Sequence, residues 1–145
     1  MKDEAEPISD DEWLVRRVRV ERFRTGDIPV ISPGAFEPRI KGRDIDATGI
    51  SLYREGCLSS IKEVLNLIPP EKRQHTGIVR VRVDALRKLG VTIRPEPDDR
   101  IRGHVVIPEL NASDYEQAPR SFDRLKLELA RLASDNIAIW PKPDV

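Results

Sequence analysis

The run GIVRVRV, from Gly77 to Val83, constrains this chain more than any other stretch. Val79, Val81 and Val83 alternate with Ile78, Arg80 and Arg82. A period of two puts successive side chains on opposite faces of an extended strand, whereas a helix would scatter the same residues around its circumference. The chain is therefore committed to a sheet with one apolar face and a second face carrying guanidinium groups. GISLYRE, from Gly49 to Glu55, has the same form, with Ile50, Leu52 and Arg54 on one side and Ser51 and Tyr53 on the other. In WLVRRVRV, which starts at Trp13, Leu14, Val18 and Val20 share a face only if Arg16 points their way as well. A strand is expected there without a settled register. VTIRP and HVVI read as shorter strands, IAIW as a final strand or an apolar extension, and Pro108 closes HVVI because it cannot donate to a ladder.

Helical signals lie between these runs. Ile61, Val64, Leu65 and Ile68 follow an i, i+3, i+4, i+7 pattern, Ser60 stands three residues before Glu63 as a capping box, and Pro69 and Pro70 end the segment. DALRKLG reads as two turns from Asp84 to a left-handed stop at Gly90. The clearest helix places Phe122, Leu125, Leu129, Leu132 and Ala133 on one face, with Ser121 as cap and Arg124 to Glu128 as an i, i+4 pair. Strands and short helices mix without the regular unit of a doubly wound sheet. The expected class is α+β, with a mixed or mostly antiparallel sheet of about five strands and two main helices.

One domain is expected over residues 11–141, since 145 residues suffice for a single core without metals or disulfides. Residues 1–10 read as a disordered acidic tail and residues 142–145 as a frayed end. Residues 2–12 hold six acids against Lys2, and residues 13–43 hold eight bases against three acids. These blocks cancel, because 25 basic and 25 acidic residues give a formal charge of zero. Neutrality, with two Trp, two Tyr and three Phe, argues against a nucleic-acid platform. The single cysteine, Cys57, excludes an internal disulfide and a cysteine-based zinc cluster and fits a reducing cytoplasm. No apolar run approaches a membrane span, and no secretion signal is present.

The candidate functional residues are few. His75 reads as a solvent-facing group beside a turn. His104, in RIRGHVVIPEL, follows Gly103 and lies close in sequence to Asp98, Asp99 and Glu109, any of which could orient its imidazole. It is a catalytic candidate, together with Arg17 and Glu109, against the simpler reading of a strand-start histidine bonded to backbone. Arg80 and Arg82 are ligand-binding candidates, because two guanidinium groups on one strand face can grip phosphate or carboxylate. On an exposed face, pairing with acidic neighbours is the simpler explanation of them. Spacing excludes a metal site from the two histidines, and no motif calls for a cofactor. Cys57 lies ahead of a predicted helix, where a thiolate could be activated, although a buried structural cysteine is the simpler reading. The Pro/Gly-rich stretch Ile28 to Gly49 is the first place to look for a binding surface.

LVRRV, ISPGAF, GISLYRE, VRVRVDALRKLGV and RGHVVI together resemble a family of small bacterial proteins, which implies a bacterial origin and no particular activity. The order Arg16 or Arg17, Ser51, Glu109 is similar to that of arginine-initiated ADP-ribosyltransferases, which carry an arginine, a serine and an acid in that sequence. Two departures stand against this second resemblance. There is no Ser-Thr-Ser, and Ile107 occupies the position two before Glu109 where that family has Glu or Gln. The leading expectation is a cytoplasmic protein that works through a protein partner, as an accessory or antitoxin-like component. The alternative is a nucleotide- or NAD-processing enzyme in which arginines and His104 meet at one pocket.

Overall fold

The computed structural model describes residues 1–143. It contains a six-stranded antiparallel sheet in the order β4-β5-β2-β1-β3-β6. The strands are β1 (Trp13–Arg19), β2 (Ile50–Arg54), β3 (Thr76–Arg82), β4 (Arg94–Pro95), β5 (His104–Ile107) and β6 (Ile137–Ile139). The helices are α1 (Pro70–Arg73), α2 (Val83–Lys88), α3 (Ala112–Gln117) and α4 (Asp123–Ser134). The class is α+β with one strand more than the count read from the sequence.

The alternation sorts side chains as the sequence dictates. Leu14, Val18, Leu52, Val79, Val81, Val105 and Ile107 face one way and form the main core with Leu129, Ala130 and Ala133 of α4. Removing these apolar surfaces from water is the dominant favourable term in the fold. Val15, Tyr53 and Ile78 face the other way and form a smaller core with Leu58, Val64 and Ile101. The segment Ile61–Leu67 that supplies Val64 is a 3-10 helix, not an α-helix, and Ser60 and Glu63 form the expected capping box. Ser121 does not cap α4: its hydroxyl donates to the Ala118 carbonyl, and Glu128 pairs with Arg131 in place of Arg124. VTIRP contributes only Arg94 and Pro95 to the sheet. Among the described residues no helix is long and apolar enough to cross a membrane.

Residues 1–10 read as a disordered tail, but in the structure this segment lies against the sheet around Arg54, together with Glu12. This guanidinium is 1 % exposed. Its Nε and Nη2 donate to the two carboxylate oxygens of Glu12 at 2.8 and 3.0 Å, and its Nη1 donates to the carbonyls of Glu4 and Glu6. A charge so buried must be paired and fully hydrogen-bonded, and the acidic segment supplies both. Burial alone would raise the Glu12 carboxyl, but the Arg54 pair and the Ser9 N–H outweigh it and hold the group below its usual range. Of the expected frayed end, residues 144–145 lie outside the described residues, and Lys142 N–H donates to the Gln74 carbonyl.

Candidate functional site

The face opposite α4 carries Ser51, His104, Arg17, Arg80 and Arg82. Register places His104, Tyr53, Val15 and Arg80 in one row across β5, β2, β1 and β3. His104 and Arg80 are therefore three strand spacings apart, about 14 Å. Tyr53 and Val15 stand between them beneath Leu58 and Val64. Arg80 is turned to Glu55, its Nε donating at 2.5 Å, and Arg82 pairs with Asp84 at 3.3 Å. The pairing with acidic neighbours that the sequence allowed is what the geometry shows. Arg80 lines a cavity of about 390 Å³ with Trp13, Glu55, Asp135, Asn136 and Ile137, and neither Arg82 nor His104 reaches it.

His104 has different company. Antiparallel pairing of β2 with β5 sets Tyr53 opposite His104, so Ser51, two residues earlier, is its diagonal neighbour on the same face. His104 Nε2 lies 2.9 Å from Ser51 Oγ, and Nδ1 lies 2.6 Å from the Glu96 carbonyl oxygen. A carbonyl oxygen only accepts, so Nδ1 carries the proton in the neutral ring. Nε2 is then an acceptor, and the Ser51 hydroxyl donates to it. This is the hydrogen-bond polarity required of a serine nucleophile and its general base, with a backbone carbonyl in place of the usual orienting acid. The Tyr53 ring packs on the imidazole with centroids 5.3 Å apart, and burial pushes its phenol up. Glu96 is braced in turn, since Thr48 Oγ1 donates to its carboxylate and its N–H donates to the His104 carbonyl.

Two arginines complete the cluster. The β1–β2 pairing stops at Val15 and Tyr53, and beyond it the Arg16 Nη1 donates to the Ser51 carbonyl at 2.8 Å while Nε donates to the Ala35 carbonyl. Arg16 thus points to the α4 face, as the apolar pattern of β1 required, and its guanidinium lies over Phe36. Burial lowers it to about 10, which leaves it cationic at neutral pH. Arg17, on the polar face, stands over the Tyr53 ring and donates one bond, to the Val64 carbonyl. Among the described residues neither Arg16 nor Arg17 forms an ion pair with a carboxylate. Half-buried cations without a direct carboxylate contact attract an anionic ligand, although at Arg16 the charge of Asp46 already offsets part of the burial cost. Nearby, Arg100 grips Asp98 through two hydrogen bonds and pulls that carboxyl down to about 2.

The remaining candidates lie elsewhere. Both Glu109 oxygens are taken by Thr92, from its N–H and its hydroxyl, so this acid braces the connection between α2 and β4. It makes no hydrogen bond to Ser51, His104 or either arginine. Cys57 is 1 % exposed in a 3-10 turn, and burial raises its thiol, so a reactive thiolate is disfavoured. No group of three or more His, Cys, Asp or Glu among the described residues could hold a metal ion. In the Pro/Gly-rich stretch, Ile28 is 95 % and Ile45 49 % exposed. No family model, no curated protein and no solved structure matches the chain.

Proposed function

We propose that the protein is an enzyme acting on a nucleotide or another phosphorylated ligand at the cluster of Ser51, His104 and Arg17. The observation that carries this reading is the hydrogen bond from the Ser51 hydroxyl to a His104 ring whose Nδ1 is held by the Glu96 carbonyl. In the proposed step His104 Nε2 takes the hydroxyl proton as Ser51 Oγ bonds to a phosphorus of the ligand. The P–O bond to the leaving group breaks and that oxygen receives the proton from Nε2, and water then cleaves the phosphoserine to restore Ser51. Arg17, with unspent donors beside Tyr53, holds the anionic group. Arg16 adds positive charge from beneath the same strand. Arg80 and Arg82 have no part in it, since each is turned to its own carboxylate.

Calorimetric titration with pyrophosphate, ADP and NAD tests the ligand class. At least one should bind saturably, and Arg17→Ala should weaken it about 10- to 100-fold, the loss of one hydrogen bond to a charged group. His104→Gln should retain binding and lose turnover. The absence of saturable binding by any of the three would remove the reading.

A second reading, an accessory or antitoxin-like component that works through a protein partner, draws support from exposed Ile28 and Ile45 in the Pro/Gly-rich stretch. Apolar side chains presented on a loop are common anchors of protein contacts. Affinity purification from the native host should recover a stoichiometric partner that is lost with Ile28→Asp and Ile45→Asp. Recovery of a clean monomer would count against it.

A further inference from the structure

We infer that the acidic N-terminal segment is a strap that sets the position of His104, with Glu4 as the positioning residue. The inference rests on the reading of Ser51 and His104 given above and adds a control element to it. β5 begins at His104, so the orientation of the imidazole is inherited from the turn before it, Ile101 to Gly103. That turn is held from two sides. From the sheet, Arg54 N–H donates to the Gly103 carbonyl at 2.8 Å. From the strap, the Gly103 N–H donates to the Glu4 carboxylate at 2.9 Å, and Arg102 lies 4.0 Å from Asp3.

The strap itself is fixed to Arg54. Its Nη1 takes the Glu4 carbonyl at 3.1 Å and the Glu6 carbonyl at 2.9 Å. The Lys2 N–H donates to the Gly56 carbonyl, and the Lys2 ammonium lies 3.4 Å from Glu12. Arg54 therefore ties the strap to the end of β2 through its guanidinium and holds the residue before His104 through its backbone N–H. The acidic block thus has a local task at the entry to β5, apart from any interaction with the basic residues of β1. Detaching Glu4 leaves Gly103 held from the sheet alone and lets the His104 ring leave the line between the Glu96 carbonyl and Ser51.

The test compares Glu4→Ala with Glu4→Gln by NMR of the free protein, with global stability measured separately by urea denaturation. Glu4→Gln keeps an oxygen that can accept from Gly103. It should preserve the wild-type protection of the Gly103 amide against hydrogen exchange and the wild-type His104 ring signals. Glu4→Ala should lower that protection by tenfold or more and shift the His104 ring signals toward those of a solvent-exposed histidine, with the sheet amides still protected. Unchanged Gly103 protection and His104 signals in Glu4→Ala would overturn the inference. Because no ligand is used, this outcome is distinct from failure of the ligand titration, which would remove the functional reading alone.

Discussion

Arg54→Met should destabilise the protein by about 3–5 kcal/mol, the cost of removing one partner of a buried ion pair and stranding the other. The reason lies in what the guanidinium satisfies. Glu12 loses its two charge-assisted bonds, and the carbonyls of Glu4 and Glu6 lose their donor. Methionine fills similar volume, so cavity formation adds little. Urea denaturation of Arg54→Met, Glu12→Met and the double variant resolves the contributions. The double variant should recover much of the loss, since an apolar pair replaces the ion pair without leaving a buried charge. The pH dependence follows with a definite sign. The Glu12 carboxyl titrates below its ordinary value of 4.5 in the folded state, so its contribution is present above that pH. It is lost as the pH falls through the folded value, and in the double variant this part of the acid-side loss should vanish. A single Arg54→Met variant as stable as wild type would mean that the N-terminal segment does not pack as described.

Gly103→Val should cost about 2–5 kcal/mol, from a left-handed backbone that β-branched side chains avoid and from overpacking. Gly103 has φ of +81°, and a Cβ built on it would lie 2.8 Å from the Cys57 Cβ and 3.2 Å from the Arg54 Cβ and carbonyl oxygen. The neighbours are the buried Cys57 and the many-bonded Arg54, so little can give way. The strain falls one residue before His104, and Gly103→Val should therefore also release the His104 ring from Ser51. Gly90→Ala provides the contrast. It has a similar φ of +84° but nothing within 4 Å of its Cβ position, and it should pay the backbone term alone. Equal losses at the two sites, by thermal melts of both variants, would contradict the packing around Gly103.

The four longer strands were legible as strands, and alternation settled the faces of β2 and β3, whereas the register of β1 stayed open and HVVI showed no alternation. Val79 and Val81 in β3 and Leu52 in β2 reach the α4 face that their spacing implies, Leu14 and Val18 reach it because Arg16 points the same way, and Val105 of β5 joins them there. Even the departure carried information: Arg54 shares the parity of Ile50 and Leu52, which predicts a guanidinium on the core side, and the acidic residues upstream are its counter-charge. The extent of short elements was less legible. β4 keeps only two residues of VTIRP, and α3, with six, is too short for a period to stand out, so tertiary contacts decide both. The Ser51–His104 pair was hidden for another reason. The two residues lie 53 apart in sequence and meet only through the β2–β5 register, which no local pattern encodes. The sequence isolates His104 by its Gly103 neighbour, but it reaches Ser51 only through a family likeness in which the serine has a different companion.

The central claim is that His104 presents an unprotonated Nε2 to the Ser51 hydroxyl. Long-range proton–nitrogen correlation NMR of the neutral imidazole reads this directly. The account predicts the proton on Nδ1, hydrogen-bonded to the Glu96 carbonyl, and an Nε2 signal that moves in Ser51→Ala. A proton found on Nε2, with no response to Ser51→Ala, would contradict it.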